Sequence, residues 1–479
     1  MRIDASATDN FQEPVAELGK SALSSAFNRS MLLDSLGLAC YIAWSFVFWN
    51  GSLLFGDLRP SMPVDNAQII QGVLTALTAL LLVFSACKSV PFRRRKVILA
   101  TFAIVSSAAV VVAALAGFGK APAEFMLLGF ALSGIGSALR LGCEERLSVQ
   151  GVRRTAICAG AAYLFGFVLF IGVSLLPAAI ALAVAVALPF VTYALLLAAV
   201  RSEQVCEVRP SRGLKASLAG VPWKLVVAIA LAYFSYGATR ATGVAGGLVA
   251  AETIHSAMAG IPALASVVAI ALAYYFYRKN ALLAFYLAFP LMALAALLPA
   301  GIDPFAGNTT FCVALVGAEL VKYLVWFLLI DSIIKDGISA LLCLALMRFA
   351  QWGGSCLGQV AADALPSTET VTIAILLSLV VALLVIMGSP MSDKLSVASV
   401  SLDALDLDER VGLAAGRYKL SPREQEVLAI WATGHTGAYI EKTLFISKNT
   451  VKTHLNHIYA KTGTANREQL LELLDAIDG

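Results

Sequence analysis

Residues 447–461, near the C-terminus, separate apolar from polar side chains at the spacing of a helix. Val451, Leu455 and Ile458 follow one another at i, i+4 and i+7, which predicts a single apolar stripe. Lysines neutralise phosphates, and asparagine can hydrogen-bond two edge atoms of adenine, so the remaining residues are typical of a helix that binds nucleic acid. No residue of 447–461 is acidic. The candidate nucleic-acid contacts are Ser447, Lys448, Asn449, Thr450, Lys452, Thr453, Asn456 and Lys461.

A capping-box pattern precedes this stretch. Ser421 and Glu424 stand three residues apart ahead of the apolar run 427–431, which predicts the start of a helix. Gly434 is expected to end that helix. Residues 436–444 then predict a second, short helix.

Only a tight turn separates this second helix from Ser447, the expected N-cap of the third. Asn466 is expected to cap a fourth helix with Leu470, Leu473, Leu474 and Ile477 on one side. Four short helices, the second and third joined by a tight turn, predict a helix-turn-helix domain.

Four motifs occur in order within residues 420–470: LSPREQEVL, FISKNTVKTHL, IYAK and NREQL. This segment resembles the LuxR-type DNA-binding domain of bacterial regulators. The resemblance implies that the third helix enters the major groove of double-stranded DNA, with Lys452, Thr453 and Asn456 facing the bases. It also implies a homodimer paired through the last helix, with Leu470, Leu473, Leu474 and Ile477 as candidate contacts. The alternative is that these residues only cover the domain's own core.

A small helical bundle used for protein contact is the alternative reading of this segment. Acidic residues lie on the first and last predicted helices, whereas the charged residues of the third are all basic. This segregation of charge favours DNA binding over an ordinary solvated surface.

The rest of the chain has the composition of a membrane protein. Hydrophobic residues make up 59% of the 479 residues and charged residues only 14%, with a mean hydropathy of +0.81. Soluble domains have about 25% charged residues. Long apolar runs predict about twelve transmembrane helices, six in each half of an all-α bundle: 31–55, 66–87, 97–118, 123–141, 155–176, 178–200, 223–242, 255–277, 281–300, 308–332, 337–360 and 369–388.

The predicted domain order follows from these runs. Residues 1–30 form a cytoplasmic N-terminal segment without the pattern of a signal peptide, and 31–388 form the membrane domain. A polar linker, 389–419, leads to the DNA-binding domain, 420–479. Within this linker, Leu402, Leu405 and Val411 suit a short amphipathic helix.

Basic residues in the loops predict the orientation. With an even number of spans, both termini lie on the side where DNA is found, the cytoplasmic face of the inner membrane. The loops on that side hold most of the basic residues, including Arg93–Lys96, whereas the opposite loops hold Arg59, Lys120 and Arg240. This asymmetry agrees with the positive-inside rule.

The longest inner loop, 201–222, divides the spans into two groups of six, an arrangement that resembles the major facilitator superfamily. The resemblance implies two helical halves around a central cavity. Ionisable residues inside spans are costly, at about 3 kcal/mol or more each, so they mark a ligand cavity or a structural pair. Glu319, Lys322 and Arg348 are the candidates for an effector cavity; the alternative for Glu319 and Lys322 is a pair that locks two helices.

These patterns together predict a membrane-bound transcription regulator whose bundle senses a small molecule and whose C-terminal domain binds promoter DNA. The alternative is a secondary transporter that carries a DNA-binding tail. The sequence has no phosphate-binding loop and no paired catalytic carboxylates, so we expect neither an enzyme nor a cofactor. The eight cysteines lack metal-ligand spacing, and no metal site is expected.

Overall fold

The computed structural model describes residues 29–50, 64–88, 90–122, 124–201, 213–245, 260–297, 308–387, 407–432, 436–444 and 446–475. The chain divides into two compact units, Met1–Leu395 and Ser396–Gly479. The predicted N-terminal segment lies almost wholly outside the described residues, as do Gly434, Ile477 and linker residues 389–406.

Helices joined by short turns make up the described residues of the first unit. Its helices are α1 (Arg29–Asn50), α2 (Val64–Val83), α3 (Lys96–Gly117), α4 (Glu124–Gly136), α5 (Ala138–Ser148), α6 (Val152–Ser174), α7 (Ala178–Arg201), α8 (Leu214–Gly220), α9 (Trp223–Ala245), α10 (Gly260–Lys279), α11 (Ala281–Leu297), α12 (Asn308–Lys335), α13 (Ala340–Ala364) and α14 (Thr368–Met387).

A helix occupies each of the twelve predicted apolar runs, and the all-α membrane fold is confirmed. Nine helical segments among the described residues are long and apolar enough to cross a bilayer. The fourth run differs from its predicted limits, because α5 continues the helical path of α4 to Ser148. Arg140 and Arg146 therefore lie in a helix, whereas the end of the apolar run had predicted a loop there.

Burial separates central from peripheral helices. Most of α12 and α13 is enclosed by the bundle, whereas much of α7 and α14 is exposed. Leu377, Leu384 and Val168 are among the large apolar side chains that are more than half exposed. Such surfaces suit contact with lipid, where exposure of an apolar side chain carries no penalty.

Two central helices, α9 and α13, touch backbone to backbone. A Cβ atom on Gly354 would lie 2.2 Å from the carbonyl oxygen of Ala230, and one on Gly358 would lie 2.0 Å from that of Phe234. Gly237 has the same relation to Ser355, at 2.1 Å. Only glycine permits this approach, in agreement with the small-residue spacing of Gly354 and Gly358.

The turn between α2 and α3 is fixed by hydrogen bonds to buried groups. The Glu145 carboxylate of α5 accepts from the backbone N–H groups of Phe92 and Arg93 at 3.2 and 2.5 Å. The Arg95 guanidinium donates to the carbonyl oxygens of Val90 and Ser85 at 2.9 and 2.8 Å. Arg95 of the predicted basic cluster therefore stabilises the turn between α2 and α3.

The second unit is a small bundle of five described helices, α15 (Leu407–Arg417), α16 (Pro422–Ala432), α17 (Gly437–Leu444), α18 (Lys448–Thr462) and α19 (Arg467–Asp475). Its core contains Val411 and Ala414 of α15 together with Val427, Ile458 and Leu474. Helix α15 lies within the segment predicted as a linker, so the packed domain begins before residue 420.

Candidate nucleic-acid interface and membrane cavity

Helix α18 begins at the residue that the sequence predicted as its cap. The Ser447 hydroxyl accepts a hydrogen bond from the Thr450 backbone N–H, and it lies 2.8 Å from the Thr450 hydroxyl. At the other end, Gly463 has a φ of 70° and donates its N–H to the Tyr459 carbonyl oxygen. Left-handed backbone of this kind favours glycine, which explains why the helix stops there.

Opposite faces of α18 have opposite surroundings. Val451 and Ile458 are buried in the domain core, and Leu455 is partly buried against it. The candidate contacts form the other surface: Ser447, Lys448, Asn449, Lys452, Thr453, Asn456 and Lys461 are exposed and Thr450 is half-buried. The Thr453 hydroxyl donates to the Asn449 carbonyl oxygen at 3.0 Å, which leaves its own oxygen able to accept a hydrogen bond.

Lys461 differs from the other basic residues of this surface. Its ammonium group lies 2.6 Å from Glu424 Oε2 and also donates to the Lys419 carbonyl oxygen at 3.3 Å. Burial of the Glu424 carboxyl opposes ionisation, but hydrogen bonds from Lys461 and Ser421 outweigh it and lower the pKa to about 2. Lys461 therefore holds α18 against α16, and the free positive charge lies toward the N-terminal end of α18.

Glu424 also completes the predicted capping box. The Ser421 N–H donates to Glu424 Oε2 at 2.7 Å, and the Glu424 N–H donates to the Ser421 hydroxyl at 3.3 Å. Arg423 donates to the Leu444 carbonyl oxygen at 2.7 Å and so satisfies the C-terminal end of α17. These contacts set the position of the tight turn before α18.

The last helix supports α18 indirectly. Asn466 caps α19, because its side-chain oxygen accepts from the Gln469 N–H at 2.9 Å. Arg467 donates to the Trp431 carbonyl oxygen at 2.7 Å and lies over the indole ring, while the indole N–H donates to the Tyr459 hydroxyl at 3.0 Å.

Four apolar residues were predicted at a dimer contact. Leu470 and Leu474 are buried in the core, Leu473 is partly buried and Ile477 lies outside the described residues.

In the membrane unit, Glu319 and Lys322 form a buried ion pair on α12. Tyr233 and Ser266, on α9 and α10, each donate a hydrogen bond to Glu319 at 3.0 Å. The Lys322 ammonium lies 4.4 Å from the centre of the Tyr323 ring. This carboxylate is therefore well satisfied and joins three helices, whereas the alternative for the pair had named two.

Arg348, the third candidate, pairs with a different carboxylate. Its guanidinium pairs with Glu144 of α5 and donates to Gln351 at 3.1 Å. Arg140 approaches the same Glu144 oxygen at 2.7 Å and donates to the Tyr163 hydroxyl at 3.1 Å. Sequence reasoning missed Arg140 and Glu144, which fall at the end of an apolar run. Their i, i+4 spacing was the available signal.

Arg140 and Arg348 line a cavity of about 60 Å³. The other lining residues come from α1, α2, α13 and the junction of α4 and α5: Tyr41, Ser45, Gln71, Thr75, Thr78, Ala79, Ser137, Ala138, Leu141 and Trp352. Arg348 thus lines the cavity, whereas neither Glu319 nor Lys322 is among its lining residues. An effector site at these three residues stays a prediction.

The helices around α18 can now be compared with known proteins. Residues 418–474 match the family model of the bacterial regulatory proteins of the luxR family. This segment is a LuxR-type helix-turn-helix domain. The LuxR-type domain covers a small part of the chain, so this assignment concerns the C-terminal unit.

A curated relative supports the LuxR-type assignment. The HTH-type transcriptional regulator Mb0914c of Mycobacterium bovis is 44% identical over 64 residues, which are 13% of this chain. The match spans only 7% of that regulator's own length. It therefore concerns the LuxR-type domain and not the rest of either protein.

The membrane unit has the fold of transporters. A bacterial homologue of the iron transporter ferroportin, in its outward-facing state, superposes with a TM-score of 0.52 and 15% identity over 75% of this chain and 98% of its own. The human organic anion transporter MFSD10 superposes with a TM-score of 0.51 and 14% identity, over 74% of this chain and 98% of its own. At these identities the likeness concerns the fold alone, and it confirms the predicted resemblance to the major facilitator superfamily.

Proposed function

We propose that this chain is a membrane-bound transcription regulator whose LuxR-type domain binds promoter DNA through α18. The observation that carries the proposal is the exposed, acid-free surface of α18 opposite its buried apolar stripe. Lys452, Thr453 and Asn456 are the candidates for base contacts in the major groove. Ser447, Lys448, Asn449 and Thr450 lie at the N-terminal end of the helix, where backbone amides attract a phosphate.

The remaining parts of the proposal concern the membrane and the partner copy. The first unit lies in the cytoplasmic membrane with both termini in the cytoplasm, which the distribution of basic loop residues supports. Two copies bind one operator as a homodimer through the last helix, where Leu473 reaches the surface. A small molecule that binds one conformation of the bundle better than another shifts the population of conformations, and promoter occupancy changes with it.

The DNA-binding part is tested first, with residues 396–479 and the same fragment carrying Lys452→Ala. The operator is found by selection from random duplexes, and binding is measured at several salt concentrations. We expect the wild-type fragment to select a sequence and Lys452→Ala to lose that preference. A folded wild-type fragment that selects no sequence would contradict DNA recognition.

The sensing part is tested in cells by comparing promoter occupancy of the full chain with that of residues 396–479. Occupancy by the full chain should change with the sensed compound, while occupancy by the fragment should not. Equal occupancy under all conditions tested would remove the regulatory role of the bundle.

The second candidate is a transporter with a DNA-binding tail, favoured by the transporter fold of the membrane unit. It requires net movement of a solute across the membrane. Uptake into proteoliposomes that contain the full chain, compared with Arg348→Ala, separates the two candidates. Solute accumulation that the variant abolishes supports transport.

A further inference from the structure

The cavity in the membrane unit adjoins a cluster of buried charges that do not balance. Arg140 and Arg348 share the one carboxylate oxygen of Glu144. The other Glu144 oxygen is buried without a hydrogen-bond partner among the described residues. Tyr163 connects this group to the Glu319–Lys322 pair, since it accepts from Arg140 and its ring lies 6.0 Å from the Lys322 ammonium.

The cluster therefore contains three cations, Arg140, Lys322 and Arg348, and two carboxylates. An uncompensated positive charge in a protein interior carries a large desolvation cost. The cost falls when an anion takes a place beside the guanidinium groups. The cavity that both arginines line is such a place.

The remaining cavity walls are neutral, with more polar than apolar residues. Hydroxyl groups come from Tyr41, Ser45, Thr75, Thr78 and Ser137, and no carboxylate is among the lining residues. Gln71 is 5% exposed, and its amide oxygen has no hydrogen-bond partner in the described part of the chain. An unpaired amide oxygen calls for a hydrogen-bond donor, which a carboxylate lacks, so the part of Gln71 that can hold an anion is its NH₂ group.

We propose that this cavity binds a small carboxylate, held by the guanidinium groups of Arg140 and Arg348 and by the NH₂ group of the Gln71 amide, which donates to it. Arginine forms paired hydrogen bonds with the two oxygens of a carboxylate, which a neutral amide of the same shape cannot reproduce. Carboxylate binding does not depend on the proposed sensing function. Only the further step, that this anion is the sensed compound, rests on it. The volume suits an acid of a few carbon atoms.

The test uses the purified full chain in detergent and follows its thermal unfolding temperature. Acetate and propionate are the probes, their amides acetamide and propionamide are the neutral controls, and sodium chloride keeps the ionic strength constant. A ligand that binds only the folded state raises the unfolding temperature with its concentration. We expect saturable stabilisation by the carboxylates and none by the amides. Equal stabilisation by both classes would overturn the proposal.

Variants assign the effect to the cavity. Gln71→Leu and Arg348→Lys should each raise the dissociation constant of acetate about tenfold, because each loses a hydrogen bond to the ligand. Tyr277→Phe is the control: it removes a hydrogen bond of 2.8 Å to Asp331, away from the cavity, and should leave acetate binding unchanged.

Glu144→Gln provides a test with the opposite sign. Removal of the competing carboxylate should strengthen acetate binding while it lowers the stability of the ligand-free chain. Acetate affinity that neither Gln71→Leu nor Glu144→Gln changes would place the anion elsewhere and overturn the site, even if Arg348→Lys fails to fold.

The outcome for the site can be separated from the outcome for sensing. Carboxylate binding in the cavity without any change in promoter occupancy supports the site and contradicts the sensing function. Sequence-selective DNA binding together with no carboxylate stabilisation overturns the site and leaves the DNA-binding proposal intact.

Discussion

Lys461 of α18 lies 2.6 Å from Glu424 of α16, so the candidate recognition helix is tied to the capping box of the helix before it. His457 lies 3.5 Å from the other Glu424 oxygen. One carboxylate thus closes the N-terminal end of α16 and fixes α18 near its C-terminal end.

The first prediction concerns Glu424 and pH. The pKa of Glu424 is lowered from its ordinary value of 4.5 to about 2 in the folded domain. This carboxylate therefore stabilises the domain fully above about pH 5, and its contribution disappears as the pH falls toward 2. Glu424→Gln should lower the free energy of unfolding at pH 7 by about 1 kcal/mol and flatten its pH dependence in that range.

Urea unfolding of residues 396–479 between pH 2 and 7 measures this effect. Glu426→Gln is the matched control, because Glu426 pairs with Arg423 at the exposed surface. We expect the control to change the stability at pH 7 by less than about 0.5 kcal/mol. A pH dependence that Glu424→Gln leaves unaltered would show that the capping carboxylate has its ordinary pKa.

The second prediction separates two lysines of α18. Lys448 is exposed at the N-terminal end of the helix, so Lys448→Ala should weaken DNA binding evenly across sequences and reduce the salt slope by about 1. Lys461 is paired with Glu424, so Lys461→Ala should mainly lower the stability of the domain. Titrations with operator and random DNA at four salt concentrations measure both. Equal losses in salt slope would mean that Lys461 leaves its partner to contact phosphate.

The third prediction concerns the contact between α9 and α13. Gly354→Ala forces the two backbones apart, because the added Cβ would lie 2.2 Å from the Ala230 carbonyl oxygen. Gly353→Ala is an unusually close control, since a Cβ there meets nothing within 4 Å. We expect Gly354→Ala to lower the unfolding temperature of the full chain in detergent by several degrees, and Gly353→Ala to leave it equal or higher. The same loss in both variants would locate the effect in the helix and not in the contact.

The fourth prediction concerns the buried pair on α12. Lys322→Met leaves the Glu319 carboxylate without its cation and should destabilise the full chain by about 3 kcal/mol. Glu319→Gln combined with Lys322→Met removes both charges and should recover much of that loss. Thermal unfolding in detergent compares the three proteins. A double variant that is no more stable than Lys322→Met would mean that the pair has a role beyond charge compensation.

Periodicity and capping were enough to predict most helices of both units, because apolar stripes and caps are local properties of the sequence. Most of α5 and all of α8 lie in segments that were predicted as loops. The pairing of Lys461 with Glu424 depends on how α16 and α18 pack, so the sequence alone suggested a lysine free to contact DNA. The membrane cavity shows the same limit. Arg140 lies at the end of an apolar run and Glu144 just beyond it, and the sequence alone placed neither in a site, but packing against α13 pairs Glu144 with both Arg140 and Arg348.

The Glu424–Lys461 pair also limits how much DNA one copy can read. With Lys461 neutralised, the groups left for recognition run from Lys448 to Asn456, a helical length of about 13 Å. At 3.4 Å per base pair this length covers about four base pairs, too few to mark a unique place in a genome. Sufficient sequence specificity must then come from two such half-sites bound together, so the spacing between the half-sites would matter as much as their base sequence.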